Sequence, residues 1–194
     1  PGRTSILGKV DMIYANQSSL YLANRHWWSR LNRPTDARDH TYLHKFDIKE
    51  IKRARYVASG GVEGSLLNQF AMDEHKGFMR LATTRSEVVS KSTSQGWVNS
   101  EPVNRISVLA EKAGRLEEVG VSKDLARSER IYSARFMGDR GYLVTFRQVD
   151  PLYTMDLSNP YNPYVVGELK IPGYSSSIHP VGKNHLLAMG MHIP

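Results

Sequence analysis

The sequence predicts an all-β chain, a β-propeller fragment of about three and a half four-stranded antiparallel blades. Apolar residues recur with period 2 in runs bounded by Gly, Asn, Asp or Pro, as in strands joined by tight turns. A small or polar turn entering an apolar strand recurs at Ser18-Ser19-Leu20-Tyr21-Leu22, Lys76-Gly77-Phe78-Met79-Arg80-Leu81, Arg140-Gly141-Tyr142-Leu143-Val144 and Asn184-His185-Leu186-Leu187-Ala188, at spacings of 58, 64 and 44 residues. Between these turns lies a second kind of hairpin, at 43–57, 106–119 and 152–169. Two hairpins in a unit of this length make one propeller blade. A β-sandwich has a similar strand count, and the repeated two-hairpin unit favours the propeller.

The elements follow in order. Strands at 10–15 and 20–23 pair through Asn16-Gln17-Ser18-Ser19, and strands at 42–48 and 51–58 turn near Lys49-Glu50. Strands at 66–72 and 78–83 are separated by the turn Asp73-Glu74-His75-Lys76-Gly77. Strands at 103–110 and 115–119 turn at Glu111-Lys112-Ala113-Gly114, and 123–128 is read as a short turn of helix. Residues 175–180 open the last unit. The blades are therefore placed at 10–58, 65–121, 130–170 and, incomplete, 175–194, all within one partial propeller domain over 1–194. The intervals 24–40 and 84–102 read as insertions between the second and third strands of a blade, on one propeller face. A closed ring of such blades needs sequence beyond this chain or strands supplied across an open edge.

Composition narrows the function classes. With 194 residues, 40% of them hydrophobic, and 10 Tyr, 5 Phe and 3 Trp, the chain can pack a core and does not read as disordered. The absence of Cys excludes disulfides, thiolate metal sites and a thiol nucleophile. No apolar run reaches transmembrane length, and Pro1-Gly2-Arg3-Thr4-Ser5 carries neither an initiator Met nor a signal pattern. The chain is thus read as a piece from which flanking sequence has been removed, together with any signal or membrane tether. A net charge of +7 from 26 Lys and Arg against 19 Asp and Glu favours anionic partners such as a cell-wall polymer or an anionic lipid surface. Specific nucleic-acid binding is not expected: Lys76-Gly77-Phe78 begins like an RNA-binding strand, but Arg80 and Ala82 stand where stacking aromatics belong.

The run Thr145-Phe146-Arg147-Gln148-Val149-Asp150-Pro151-Leu152-Tyr153-Thr154-Met155-Asp156-Leu157-Ser158-Asn159-Pro160 continues through Tyr161-Asn162-Pro163-Tyr164 to His179-Pro180. With Leu66-Leu67-Asn68-Gln69-Phe70-Ala71-Met72-Asp73-Glu74-His75-Lys76-Gly77-Phe78 upstream, it resembles a bacterial and archaeal family of secreted proteins with a C-terminal β-propeller domain distantly related to WD40 repeats. The resemblance covers most of the chain from Tyr14 onward and implies an extracytoplasmic protein, secreted or at the cell surface, of uncharacterised biochemical function. The family supplies no catalytic or ligand residues to carry over.

Candidate sites are few. Trp27-Trp28 flanked by Arg25, His26, Arg30 and Arg33 pairs aromatic anchors with cations, a composition suited to a carbohydrate, peptide or protein partner. The bland alternative is packing of the insertion onto the propeller. Trp97, in the second insertion, is expected to join them on the same face. His40 and His44 project the same way from a strand and are the only weak metal candidates, so no metal or other cofactor is expected. Asp156 and Asn159 fall short of the six to eight oxygens calcium takes and are read as an Asx turn. Ser175, Ser176 and His179 lie close in sequence without a nucleophile elbow, and Asn16-Gln17-Ser18 is a formal glycosylation sequon on a turn. The expected function is a non-catalytic extracytoplasmic binding or scaffolding module. The alternatives are a metal-assisted hydrolase using His40 and His44, or the propeller part of an enzyme whose other residues lie elsewhere. A third reading is self-association through open sheet edges.

Overall fold

The computed structural model describes residues 6, 9–26, 39–50, 53–91, 98–146, 150–171, 174–182 and 185–191. Among them the regular structure is β throughout, apart from one 3-10 turn, Gln69–Ala71. The first sheet runs β1 (Met12–Ala15), β2 (Ser19–His26), β3 (His40–Asp47) and β4 (Arg55–Glu63) as an antiparallel meander. After the short β5 (Ser65–Leu66) and the 3-10 turn come β6 (Met72–His75), β7 (Phe78–Lys91), β8 (Val98–Lys112) and β9 (Arg115–Val121), a second meander. The third is β10 (Arg130–Met137), β11 (Arg140–Phe146), β12 (Asp150–Asp156) and β13 (Tyr164–Ile171). A final hairpin pairs β14 (Tyr174–Val181) with β15 (His185–Met191). Three four-stranded meanders and a half unit make this chain a β-propeller fragment, as the repeated turns imply.

The turns that punctuate the sequence set the ladders. Asn16 Oδ1 accepts from the Ser18 and Ser19 amides, both at 2.8 Å, and closes the β1–β2 hairpin. Two-residue loops at Lys76-Gly77 and Ala113-Gly114 hold both residues at positive φ, the I′ geometry whose twist suits adjoining strands. The first two sheets join where β4 runs parallel to β9 at Ser59↔Arg115 and Gly60↔Leu116. A Cβ on Gly60 would overlap the Leu116 carbonyl, so only glycine lets these backbones meet.

Several sequence readings change. The expected strand 66–72 is broken, because Asn68 Oδ1 accepts from Phe70 N at 3.0 Å and caps the 3-10 turn, leaving β5 and β6 to pair separately with β7. The reading of 84–102 as an insertion is corrected over most of its length: β7 and β8 stay paired out to Lys91↔Val98. Thr84 to Ser90 contains β-branched residues and neither Gly nor Pro, so nothing stops the ladder. The expected helical turn at 123–128 is instead a bridge of Leu125 to Asn104, followed by Ala126 and Ser128 at positive φ. Buried Asn104 organises it: its amide nitrogen donates to the carbonyls of Ala126 and Glu129 at 3.2 and 3.1 Å.

The core is continuous across the sheets. Tyr21, Leu43, Met79, Leu81, Ile106, Leu109, Leu143 and Met155 are fully buried, each contributing roughly 1.5–3 kcal/mol over exposure. The second and third sheets meet on an apolar seam, where a Cβ on Gly141 would lie 3.1 Å from Leu157 and 3.4 Å from Ile106. The first strands converge: β1 and β10 both lie against the 3-10 turn that leads into β6, and β14 lies against β10.

Candidate binding site at the first strands

Of the residues singled out by sequence, Trp27, Trp28, Arg30 and Trp97 lie outside the described residues. Arg25, next to last in β2, lies beside Asp39, with its Nη2 3.0 Å from Asp39 Oδ2 and its amide donating to Asp11 Oδ2 at 2.8 Å. His26 and His40 are cross-strand partners, and the exposed Tyr42 ring contacts each of them, edge-on 6.3 Å from His26 and stacked 6.2 Å from His40. Tyr42 rests against Gly61, where a Cβ would come within 3.1 Å of its ring. His44 shares this face, as alternation requires, but turns to Tyr56, with Nδ1 3.2 Å from the phenol oxygen. His40 and His44 thus have separate partners, and among the described residues no three His, Cys, Asp or Glu side chains gather in a metal-binding group. At β14 it is Ser177, not Ser175 or Ser176, whose Oγ lies 2.7 Å from His179 Nε2. Among the described residues no carboxylate is hydrogen-bonded to that ring, as an oriented nucleophile–base pair would require.

The opposite face of the first sheet carries a buried polar junction with no counterpart in the sequence reading. Glu74 on β6 accepts from Asn16 Nδ2 at 2.8 Å and from the Tyr21 hydroxyl at 2.9 Å, and Lys45 Nζ lies 3.1 Å away. Lys45 also donates to Glu111 at 3.0 Å, and the Glu74 amide donates to the Tyr14 hydroxyl at 3.0 Å. Burial pushes the Glu74 carboxyl up, but the Asn16, Ser19 and Tyr21 hydrogen bonds and the Lys45 charge outweigh it and hold the group below the usual carboxylate range. Burial pulls Lys45 down, and its two carboxylates more than restore it, leaving it raised. The Tyr21 phenol is pushed far up by burial and the adjacent Glu74 charge. Glu74 was hidden because Asp73-Glu74-His75 reads as a turn, whereas the turn is only Lys76-Gly77 and the acidic pair belongs to a strand.

Above this junction the first strands leave a concavity of about 310 Å³ lined by Ile13, Tyr14, Phe70, Asp73, Arg135 and Phe136, among others. Asp73 is taken by buried Arg80, whose Nε donates at 3.0 Å and whose Nη1 donates to the Gly138 carbonyl at 2.6 Å. The Arg80 guanidinium lies over Phe136 at 5.2 Å, and that of Arg135 over Phe70 at 3.5 Å. Burial lowers the Arg135 pKa. Sequence reasoning missed Arg135, whose one signal is a cation inside the apolar run of β10.

The model of the Beta propeller domain family matches residues 2–193. The chain belongs to that family. This propeller is similar to an uncharacterized protein of Methanocaldococcus jannaschii, 46% identical over 135 residues, covering 69% of this chain and 20% of the relative. It is also similar to an uncharacterized protein of Archaeoglobus fulgidus, 42% identical over 150 residues, covering 77% of this chain and 21% of the relative. The propeller therefore spans about a fifth of the length of these relatives.

Proposed function

We propose that this propeller is a non-catalytic binding and scaffolding module, extracytoplasmic, that meets an anionic cell-surface polymer or a protein through the chain around Trp27 and Trp28, with Arg25 and Arg30, and through Trp97. The observation that carries the reading is the root from which 27–38 departs. Arg25 is tied to Asp39 across the gap, and His26, Tyr42 and His40 make an aromatic platform beside it. A rigid root of this kind lowers the ordering cost of presenting aromatic anchors. The net charge of +7 favours an anionic partner. The test is binding of the purified chain to an immobilised anionic cell-wall polysaccharide. Trp27→Ala with Trp28→Ala lowers affinity at least tenfold, and equal binding by the variant refutes the assignment.

A second reading, self-association, is favoured by β15, whose Leu187 and Met189 are both exposed on the last hairpin. Sedimentation at high micromolar concentration distinguishes it: Leu187→Lys with Met189→Lys converts an oligomer to monomer, and a wild-type monomer removes the idea.

A further inference from the structure

We propose that the concavity at the first strands is a second binding site, for a ligand that joins a carboxylate to a small apolar body. Its charge comes from Arg135. The other cation at this wall, Arg80, is consumed by Asp73 and the Gly138 carbonyl, so the one carboxylate lining the concavity is already neutralised. Arg135 has no carboxylate within ion-pair distance among the described residues. Among the described residues its side chain reaches the adjacent Ala134 carbonyl, at 3.5 Å, and the face of Phe70. A guanidinium stacked on a ring keeps its N–H edge directed outward, and that edge matches a carboxylate bidentately.

The apolar half is equally defined. Ile13 is 57% exposed and Phe70 is 46% exposed, and both line the same concavity. At about 310 Å³ the space suits a ligand of roughly ten heavy atoms, at the small end of natural ligand pockets. Anion and ring partners therefore sit side by side: the guanidinium edge for the carboxylate, Phe70 and Ile13 for the body. The carboxylate belongs either to a free small acid or to a peptide C-terminus, and both place the same group on Arg135.

The experiment titrates the full chain with phenylacetate, with its neutral isostere phenylacetamide, and with an acetylated tripeptide ending in Phe, read by NMR shifts of Phe70 and the Arg135 Nε–H. Phenylacetate is expected to saturate the site and phenylacetamide to bind at least tenfold more weakly. Arg135→Gln abolishes the difference between the two, and Phe70→Ala weakens phenylacetate several-fold. Tighter binding of the tripeptide than of phenylacetate assigns the site to a chain terminus, and the reverse assigns it to a free acid. Equal binding of phenylacetate and phenylacetamide, or no saturable binding of either acid, overturns the proposal. That comparison uses the wild-type chain, so it stands even where Arg135→Gln does not fold.

Discussion

Replacing Glu74 by Gln keeps the shape of the buried junction and removes its charge. The carboxylate now accepts from Asn16 and Tyr21 and pairs with Lys45, at 2.8, 2.9 and 3.1 Å. Hydrogen bonds to a charged acceptor contribute about 1.5–3 kcal/mol each against about 0.5–1.5 for neutral ones, so discharging the acceptor forfeits roughly 1 kcal/mol per donor. The new amide NH₂ also faces a group that already donates, which adds about 1 kcal/mol or more. The sum is about 4 kcal/mol. For a domain of this length that lowers Tm by about 8–16 °C. Urea unfolding supplies the free energy, and a double-mutant cycle with Lys45→Met isolates the pair: the double variant is expected to be at least ~1 kcal/mol more stable than the two single losses predict. A Glu74→Gln cost below ~1 kcal/mol, or additivity within about 0.5 kcal/mol, would show that the junction is solvated and does not hold the sheets together.

The same junction sets a pH dependence. The folded Glu74 pKa is lower than the unfolded one, so its contribution is complete above the ordinary carboxylate value of 4.5 and is lost as pH falls through the folded value. Lys45 is raised, so its contribution is complete below 10.5 and fades as pH climbs past it. Stability measured from pH 3 to 7 should fall with acid in the wild type and less steeply in Glu74→Gln; parallel curves sink the assignment. Gly60→Ala, which drives a Cβ into the Leu116 carbonyl, should cost at least about 1–3 kcal/mol and expose the Ser59 amide to hydrogen exchange. An unchanged Tm would mean that β4 and β9 separate without consequence.

Local signals were legible and distant ones were not. Asn16 to Ser19, Lys76-Gly77 and Ala113-Gly114 announce their hairpins because a turn's chemistry is written in adjacent residues. The outer pairing of β7 and β8 was missed because polar residues such as Ser86, Glu87, Ser90, Asn99 and Ser100 look the same in a loop and in a strand. The 123–128 segment follows Asn104, about twenty residues upstream, rather than its own propensity. Likewise Glu74 takes its meaning from Tyr21 and Lys45, 53 and 29 residues earlier, and the Arg135 stack needs Phe70 from the distant 3-10 turn. The His26 and His40 pairing was available to alternation once β2 and β3 were aligned, although His40 and His44 attracted the reading by proximity.

The two seams between sheets have different consequences for assembly. Every sheet is a meander of neighbouring hairpins, so each can form from contacts close in the chain before it meets the next. The seam at Ile106, Gly141 and Leu157 is apolar and tightly packed, and its attraction is non-directional. The seam at Glu74 is directional: until Asn16, Tyr21 and Lys45 arrive together, a dehydrated carboxylate lacks its partners. Docking of the first sheet on the second is therefore the directionally specified contact, because it must bring those three donors to one carboxylate.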